Sequence, residues 1–276
     1  GILSPRRLSE GVIGMRKISL DKLDDLFAAI AAEMSLYLPV DTKAGAKFDK
    51  WESGKTLSES LNTVRSAKDF FFPQTENLMD FKVEGKNIEV IDTRSESENF
   101  AVFGVRACDV KSFEVLDRVF LSEPADTYYK NRREHGVIIS LACEKPAETC
   151  FCKTFGIDAA QPEGDIVCHK TADALYLDAK SEKGEALLKS VESVTESADE
   201  APVEEQKKLI RERYSKLPFA ELSADKFGSG KTAEFFDDPA WKELSESCLG
   251  CGTCTFVCPT CQCYDIKDFN TGHGVK

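Results

Sequence analysis

The first well-patterned stretch of the chain starts at Ser19, where apolar side chains recur at Leu23, Leu26, Phe27, Ile30 and Met34 with charged or small residues between them. That spacing lays one apolar stripe along a helix. It predicts an amphipathic helix with Ser19 as N-cap, Asp21 in the first turn and an end before Pro39. Four later runs, residues 88–91, 100–107, 137–142 and 174–177, are short and apolar or rich in β-branched residues. Two of them are nearly continuous, as strands buried on both faces are. Between the second and third runs lie residues 110–121, with Phe113, Leu116, Val119 and Phe120 on one helical stripe. Strand, helix, strand in this order predicts a parallel crossover and an α/β sheet. Beyond Ala179 come two charged helical stretches, residues 183–194 and 203–217, separated by an acidic, serine-containing interval at 196–200. They read as surface helices, and the mixed charges of residues 204–213 as a solvated helix face.

Composition narrows the class. With 276 residues, 42% hydrophobic and 30% charged, the chain is long enough for one good-sized domain and a smaller appendage, which excludes a fibre, a disordered tail or a mini-protein. Lys and Arg number 36 against 48 Asp and Glu, a net charge of -12. This is the wrong sign for a surface that neutralises phosphates or anionic lipid, so neither nucleic acid nor membrane is an expected partner. No apolar run approaches the roughly 20 residues of a spanning helix, and no stretch has the layout of a signal peptide, which gives a cytoplasmic reading. Residues 1–14 precede Met15 and its better-patterned continuation; they are read as an extension outside the fold.

The eleven cysteines change the picture most, because a cytosolic chain keeps its thiols reduced and then uses them chiefly for metal. Six of them, Cys248, Cys251, Cys254, Cys258, Cys261 and Cys263, fall within sixteen positions. The first four, followed by Pro259, spell Cys-x2-Cys-x2-Cys-x3-Cys-Pro, the bacterial ferredoxin run for [4Fe-4S] clusters. Two-residue gaps let successive thiolates wrap one cubane, Gly250 and Gly252 admit the backbone close to its sulfides, and Pro259 turns the chain after the fourth ligand. Backbone N–H groups around Gly250, Gly252 and Thr253 are expected to donate to sulfur, with Leu249, Phe256 and Val257 keeping water away. Zinc is the alternative occupant, but three cysteines at this spacing are not its usual paired arrangement. In two-cluster ferredoxins the fourth cysteine ligates the other cluster, so Cys248, Cys251 and Cys254 are assigned to one cluster and Cys258 to a second, whose remaining ligands are expected beyond Lys276. Cys261 and Cys263 read as packing or supporting sulfurs.

A second group, Cys108, Cys143, Cys150 and Cys152, is scattered until the strands are drawn. Cys108 and Cys143 each end a predicted parallel strand. Neighbouring carboxyl ends lie side by side, where α/β folds place ligands, and the loop 144–149 can bring Cys150 and Cys152 back over the same edge. Four converging thiolates suit a third cluster; buried packing cysteines suit the same positions. Cys168, beside His169, reads as structural. Residues 228–232, Gly-Ser-Gly-Lys-Thr, imitate a phosphate loop, but Asp225 stands where its first glycine belongs. No Gly-x-Gly-x-x-Gly follows a strand, so no flavin or nicotinamide is expected on this chain. His135, His169 and His273 lack carboxylate partners in any motif for acid–base or zinc hydrolase chemistry.

Several longer stretches together resemble one family. They are residues 104–109 (Gly-Val-Arg-Ala-Cys-Asp) with Leu116-Asp117, residues 126–133, residues 143–152 (Cys-Glu-Lys-Pro-Ala-Glu-Thr-Cys-Phe-Cys), and residues 248–264. From Met15 to Lys276 the chain is similar to the iron-sulfur subunit of anaerobic sulfite reductase and to the beta subunit of cytosolic sulfhydrogenases, which are dicluster iron-sulfur proteins. The resemblance implies an electron-transfer subunit, not catalytic alone. It would relay single electrons between a diaphorase subunit that contains flavin and oxidises NAD(P)H, on one side, and a catalytic subunit on the other. Sirohaem sulfite reductase is the first expectation for the catalytic partner and nickel-iron hydrogenase the alternative. The resemblance also implies the third cluster at Cys108, Cys143, Cys150 and Cys152, with Asp109 as an alternative oxygen ligand. A metal-binding structural or redox-sensing module is the reading from a different class. The expected architecture is an α/β domain over residues 15–217, a linker over 218–240, and the first half of a ferredoxin-like, helical cluster-binding domain over 241–276.

Overall fold

The computed structural model describes residues 14–92 and 98–267; most of the expected N-terminal extension and the last part of the expected cluster domain lie outside them. In chain order the elements are β1 (Arg16–Ser19), α1 (Leu23–Glu33), β2 (Ser35–Thr42), β3 (Gly45–Lys50), β4 (Met79–Glu84), β5 (Asn87–Asp92), β6 (Phe100–Val105), α2 (Ala107–Phe120), α3 (Thr127–His135), β7 (Gly136–Leu141), β8 (Ile166–Lys170), β9 (Ala174–Ala179), α4 (Glu182–Ser190), β10 (Glu196–Ser197), α5 (Ala201–Ser215), α6 (Ala240–Ser245) and α7 (Thr253–Val257). Eight strands form one mixed sheet in the order β10-β1-β9-β8-β7-β6-β2-β3, while β4 and β5 form a separate hairpin. The centre of the sheet is parallel, β2 beside β6, β6 beside β7, β7 beside β8. Both flanks are antiparallel.

The strand, helix, strand unit of the sequence reading is present as β6, α2 and β7, with α3 completing the crossover. Period-two alternation sorts its side chains. Ala101 and Phe103 of β6 and Val137 and Ile139 of β7 join Leu26, Phe27 and Ile30 of α1 and Leu187 and Leu188 of α4 in one core. Val102 and Ile138 point the other way, into a second core with Val110, Phe113, Leu116 and Phe120 of α2 and Tyr129 of α3. Helices therefore cover both faces of the parallel strands, which is why those strands read as continuous apolar runs. Each fully buried Leu or Phe in these layers contributes about 1.5–3 kcal/mol.

Several expectations shift in detail. Ser19 does not cap the helix; it precedes one 3-10 turn, Leu20–Lys22, and its hydroxyl bonds the Asp21 carboxylate. The strand at 100–107 stops at Val105, because Gly104 (φ +83°) makes a bulge and Arg106 turns the chain into α2, three residues earlier than predicted. Val119, placed on the apolar stripe, is exposed. Pro39 lies inside β2, where β6 pairs only as far as Tyr37; Gly104 comes so close to its ring that a Cβ there would stand 3.1 Å from Pro39 Cδ. A proline without an N–H is tolerated where that ladder has already ended.

The stretch 126–133 and Asp117 turn out to join the two outer helices. Asp126 caps α3 by accepting from the Tyr128 and Tyr129 N–H groups at 2.9 and 3.0 Å. Arg133 grips Asp117 on α2 with two hydrogen bonds, 2.9 and 3.0 Å, and the Tyr129 hydroxyl donates to the same carboxylate at 2.7 Å. Among the described residues no helix is long and apolar enough to cross a membrane.

Candidate iron-sulfur centres

The carboxyl ends of β6 and β7 lie side by side, and Arg106 fastens them to each other. Its guanidinium donates to the carbonyls of Leu61 (3.2 Å), Ser60 (3.3 Å) and Ala142 (3.4 Å). Cys108 follows in the first turn of α2 rather than at a strand end, and Cys143 stands two residues past β7, its N–H held by the Ala159 carbonyl at 2.9 Å. The loop after it returns through a 3-10 turn, Cys152–Phe155, which ends at Gly156 in the left-handed region (φ +65°). Cys143 is buried, Cys150 and Cys152 half-buried, and part of Cys108 meets solvent.

Cys143 and Cys152 stand within electrostatic reach of both Cys108 and Cys150. Protein packed around the Cys108 sulfur, then the charges of Asp109, Cys152 and Cys143, push its pKa up to about 12. Cys152 rises to about 11, first through burial and then through Cys143 and Cys150. Burial also raises Cys143, against the opposing pull of Arg106. The neighbouring Asp109 carboxyl is pushed up to about 6 by burial, only partly offset by Arg106. The Tyr214 hydroxyl of α5 faces the same thiols. Thiols are the soft ligands that iron-sulfur clusters take, and here they stand with the Asp109 carboxyl and the Tyr214 hydroxyl beside them. Among the described residues no three Cys, His, Asp or Glu side chains stand close enough to hold a single metal ion; the corners of a cubane are spaced more widely than the ligands of one ion.

The C-terminal run is built differently. Gly250 (φ +67°) and Gly252 (φ +73°) adopt the left-handed conformation, and the Gly250 N–H points at Cys248 Sγ at 3.4 Å. Thr253 Oγ1 lies 3.2 Å from Cys251 Sγ, and hydrogen bonds from its side chain and backbone hold the Cys251 thiol below its ordinary pKa. Cys258 repeats the arrangement with Thr260 Oγ1 at 3.2 Å; burial opposes it, yet the hydrogen bonds from Thr260 and Cys261 leave the thiol lowered. Hydrogen bonds that favour thiolates fit cluster ligation, since the thiolate is the metal-binding form. The expected apolar cover is not formed: Leu249 is 92% exposed, and Phe256 and Val257 are also exposed. One edge of the run meets the sheet region.

That edge is the segment 65–72, which the sequence reading passed over. The Lys68 ammonium donates to the carbonyls of Cys258 (2.8 Å) and Cys261 (3.1 Å). Arg65 lies over the Phe256 ring, 4.6 Å from its centre, and the rings of Phe72 and Tyr264 meet edge to face at 6.3 Å. An isolated Lys in an aromatic-rich stretch carries no motif, so only the fold reveals it. Cys168, by contrast, is fully buried in the main core as a packing residue, and His169 is fixed by the Ala160 carbonyl at 2.8 Å. The false phosphate loop leads into a single 3-10 turn, Lys231–Phe235, not a helix that could receive a phosphate.

A mixed α/β sheet followed by a ferredoxin-type cysteine run defines a class, the iron-sulfur proteins of the dicluster kind. Residues 247–276 match the family model of the 4Fe-4S dicluster domain. The chain is 30% identical over 254 residues to the beta subunit of sulfhydrogenase 2 from Pyrococcus furiosus, an alignment spanning 91% of this chain and 73% of that one. It belongs to the 4Fe-4S dicluster family that includes this sulfhydrogenase beta subunit.

Proposed function

We propose that this chain is an iron-sulfur electron-transfer subunit of a multi-subunit oxidoreductase. Cys248, Cys251 and Cys254 hold one [4Fe-4S] cluster and Cys258 serves a second. Cys108, Cys143, Cys150 and Cys152 hold a third, with Asp109 as the oxygen ligand if one thiolate is left out. The observation that carries the reading is the C-terminal run, in which Cys248 sulfur accepts from the Gly250 N–H and the Cys251 and Cys258 sulfurs each lie 3.2 Å from a threonine hydroxyl. Such clusters, when bound, supply one-electron steps at potentials set by net charge, hydrogen bonds to sulfur and solvent exposure. The chain's own residues adjust each of those factors. Gly250 and Thr253 stabilise negative sulfur in the run, whereas Arg106 places a cation beside the buried Cys143 thiol of the first group.

The partners, in the cytoplasm, are a catalytic subunit together with a flavin-containing, NAD(P)H-oxidising diaphorase subunit. The sulfhydrogenase relative favours a nickel-iron catalytic partner; the sirohaem sulfite reductase expected first from the sequence is the second reading, and the stretches 104–109 and 143–152 carry a resemblance common to both. The test is to purify the assembly without oxygen and determine its metals with a visible spectrum. Iron and sulfide with nickel support the hydrogenase partner, and iron with a sirohaem band the sulfite reductase. Zinc in place of iron, with no low-potential chromophore, overturns the electron-transfer reading.

A further inference from the structure

Lys68 is 6% exposed, yet its ammonium has no carboxylate within ion-pair reach among the described residues. Its two partners are carbonyl oxygens, Cys258 O at 2.8 Å and Cys261 O at 3.1 Å, contributed by a segment 190 residues further along the chain. Burying an unpaired ammonium is costly, and carbonyl dipoles solvate it without cancelling its charge. The position is therefore hard to explain by stability alone. What the ammonium does is pin both ends of the turn Cys258-Pro259-Thr260-Cys261 to the 3-10 turn Ala67–Phe70, with Arg65 on Phe256 and Phe72 on Tyr264 closing the seam on either side. It also delivers a full positive charge next to the backbone of a proposed cluster ligand.

We infer that Lys68 is the positioning residue of the C-terminal cluster run, locking Cys258 against the α/β sheet and raising the reduction potential of the cluster that Cys258 serves. The inference rests on the cluster assignment proposed above. An added electron makes a cluster more negative, so a fixed cation nearby favours the reduced form. Between unit charges about 10 Å apart at an effective dielectric near 20, the effect is on the order of tenfold in the ratio of reduced to oxidised cluster. For one electron, tenfold corresponds to about 59 mV.

The experiment uses the full chain purified anaerobically with its partners, as wild type, Lys68→Met and Lys68→Arg, each titrated electrochemically under electron paramagnetic resonance with iron measured per chain. The expected result is unchanged iron in Lys68→Met, with the signal of one cluster titrating at lower potential, and a potential restored towards wild type in Lys68→Arg. Equal potentials for wild type and Lys68→Met at equal iron content overturn the inference. If Lys68→Met fails to retain iron, proteolysis of the metal-free chain decides: faster cutting around 256–264 in Lys68→Met than in Lys68→Arg supports the lock, and equal cutting refutes it. Wild-type protein that binds no iron at all defeats the cluster assignment instead, and the proteolysis comparison still reports on the lock.

Discussion

The two cysteine groups proposed as cluster sites are assembled by opposite routes. The C-terminal run places its thiols within eleven positions of chain, on exposed backbone, with glycines and threonines as its local supports. The group of Cys108, Cys143, Cys150 and Cys152 is spread over forty-five positions. It is assembled by the parallel pairing of β6 with β7 and by packing against Ile210 of α5. A local motif carries its geometry in the covalent chain and needs little core beneath it. A dispersed site inherits its geometry from the sheet and is only as stable as the sheet.

The sharpest way to test this division is to remove one ligand from each group. Cys251→Ser should lose the cluster of the run while leaving the dispersed group loaded, and Cys143→Ser should do the reverse, read as iron per chain and by the surviving resonance signals. Loss of both sets of signals from either single change would break the comparison.

Next in size are effects on folding. Phe113 supports α2, which carries Cys108, and Phe113→Ala should cost about 3–5 kcal/mol in urea unfolding, with the dispersed group emptied alongside. Leu249→Ala, in the middle of the run but 92% exposed, should change stability by no more than about 0.5 kcal/mol. A large loss in the second variant would mean that the run is packed more firmly than its exposure indicates.

The smallest effects are those of pH. Metal binding to a thiol expels its proton, so ligands with raised pKa compete less well as pH falls. Cys108 at about 12 and Cys152 at about 11 should surrender iron at higher pH than Cys251, whose thiol is lowered by Thr253. Graded acidification with separate readout of the two sets of signals checks the order. In the metal-free chain the sign reverses: a thiol raised on folding stabilises the fold fully below its unfolded pKa of about 8.5 and loses that contribution as pH climbs towards about 12. Thermal unfolding of the metal-free protein should therefore weaken over that alkaline window, and a Cys108→Ala variant should weaken less.

What could be read from the chain follows from the same contrast. The helix at Leu23–Glu33, the strands at Phe100–Val105 and Gly136–Leu141 and the helix between them were legible, since burial on one or both faces writes a period into the residues. Strand Ser35–Thr42 was not, because Pro39 argues against a strand until the short ladder to β6 and the Gly104 bulge are known. Ile166–Lys170 was hidden by its polar end and by Cys168 and His169, whose burial depends on partners far along the chain. The Cys248 run was identifiable from spacing alone. Lys68 was not, as its role arises from a contact across 190 positions.

The central claim, that both cysteine groups are cluster sites, is tested most directly by iron, zinc and acid-labile sulfide measured per chain in anaerobically purified wild type and Cys143→Ser. The account predicts iron and sulfide in equal amounts in the wild type, with one cubane's worth of each missing from the variant. Zinc without sulfide, or identical iron in the two proteins, would contradict it.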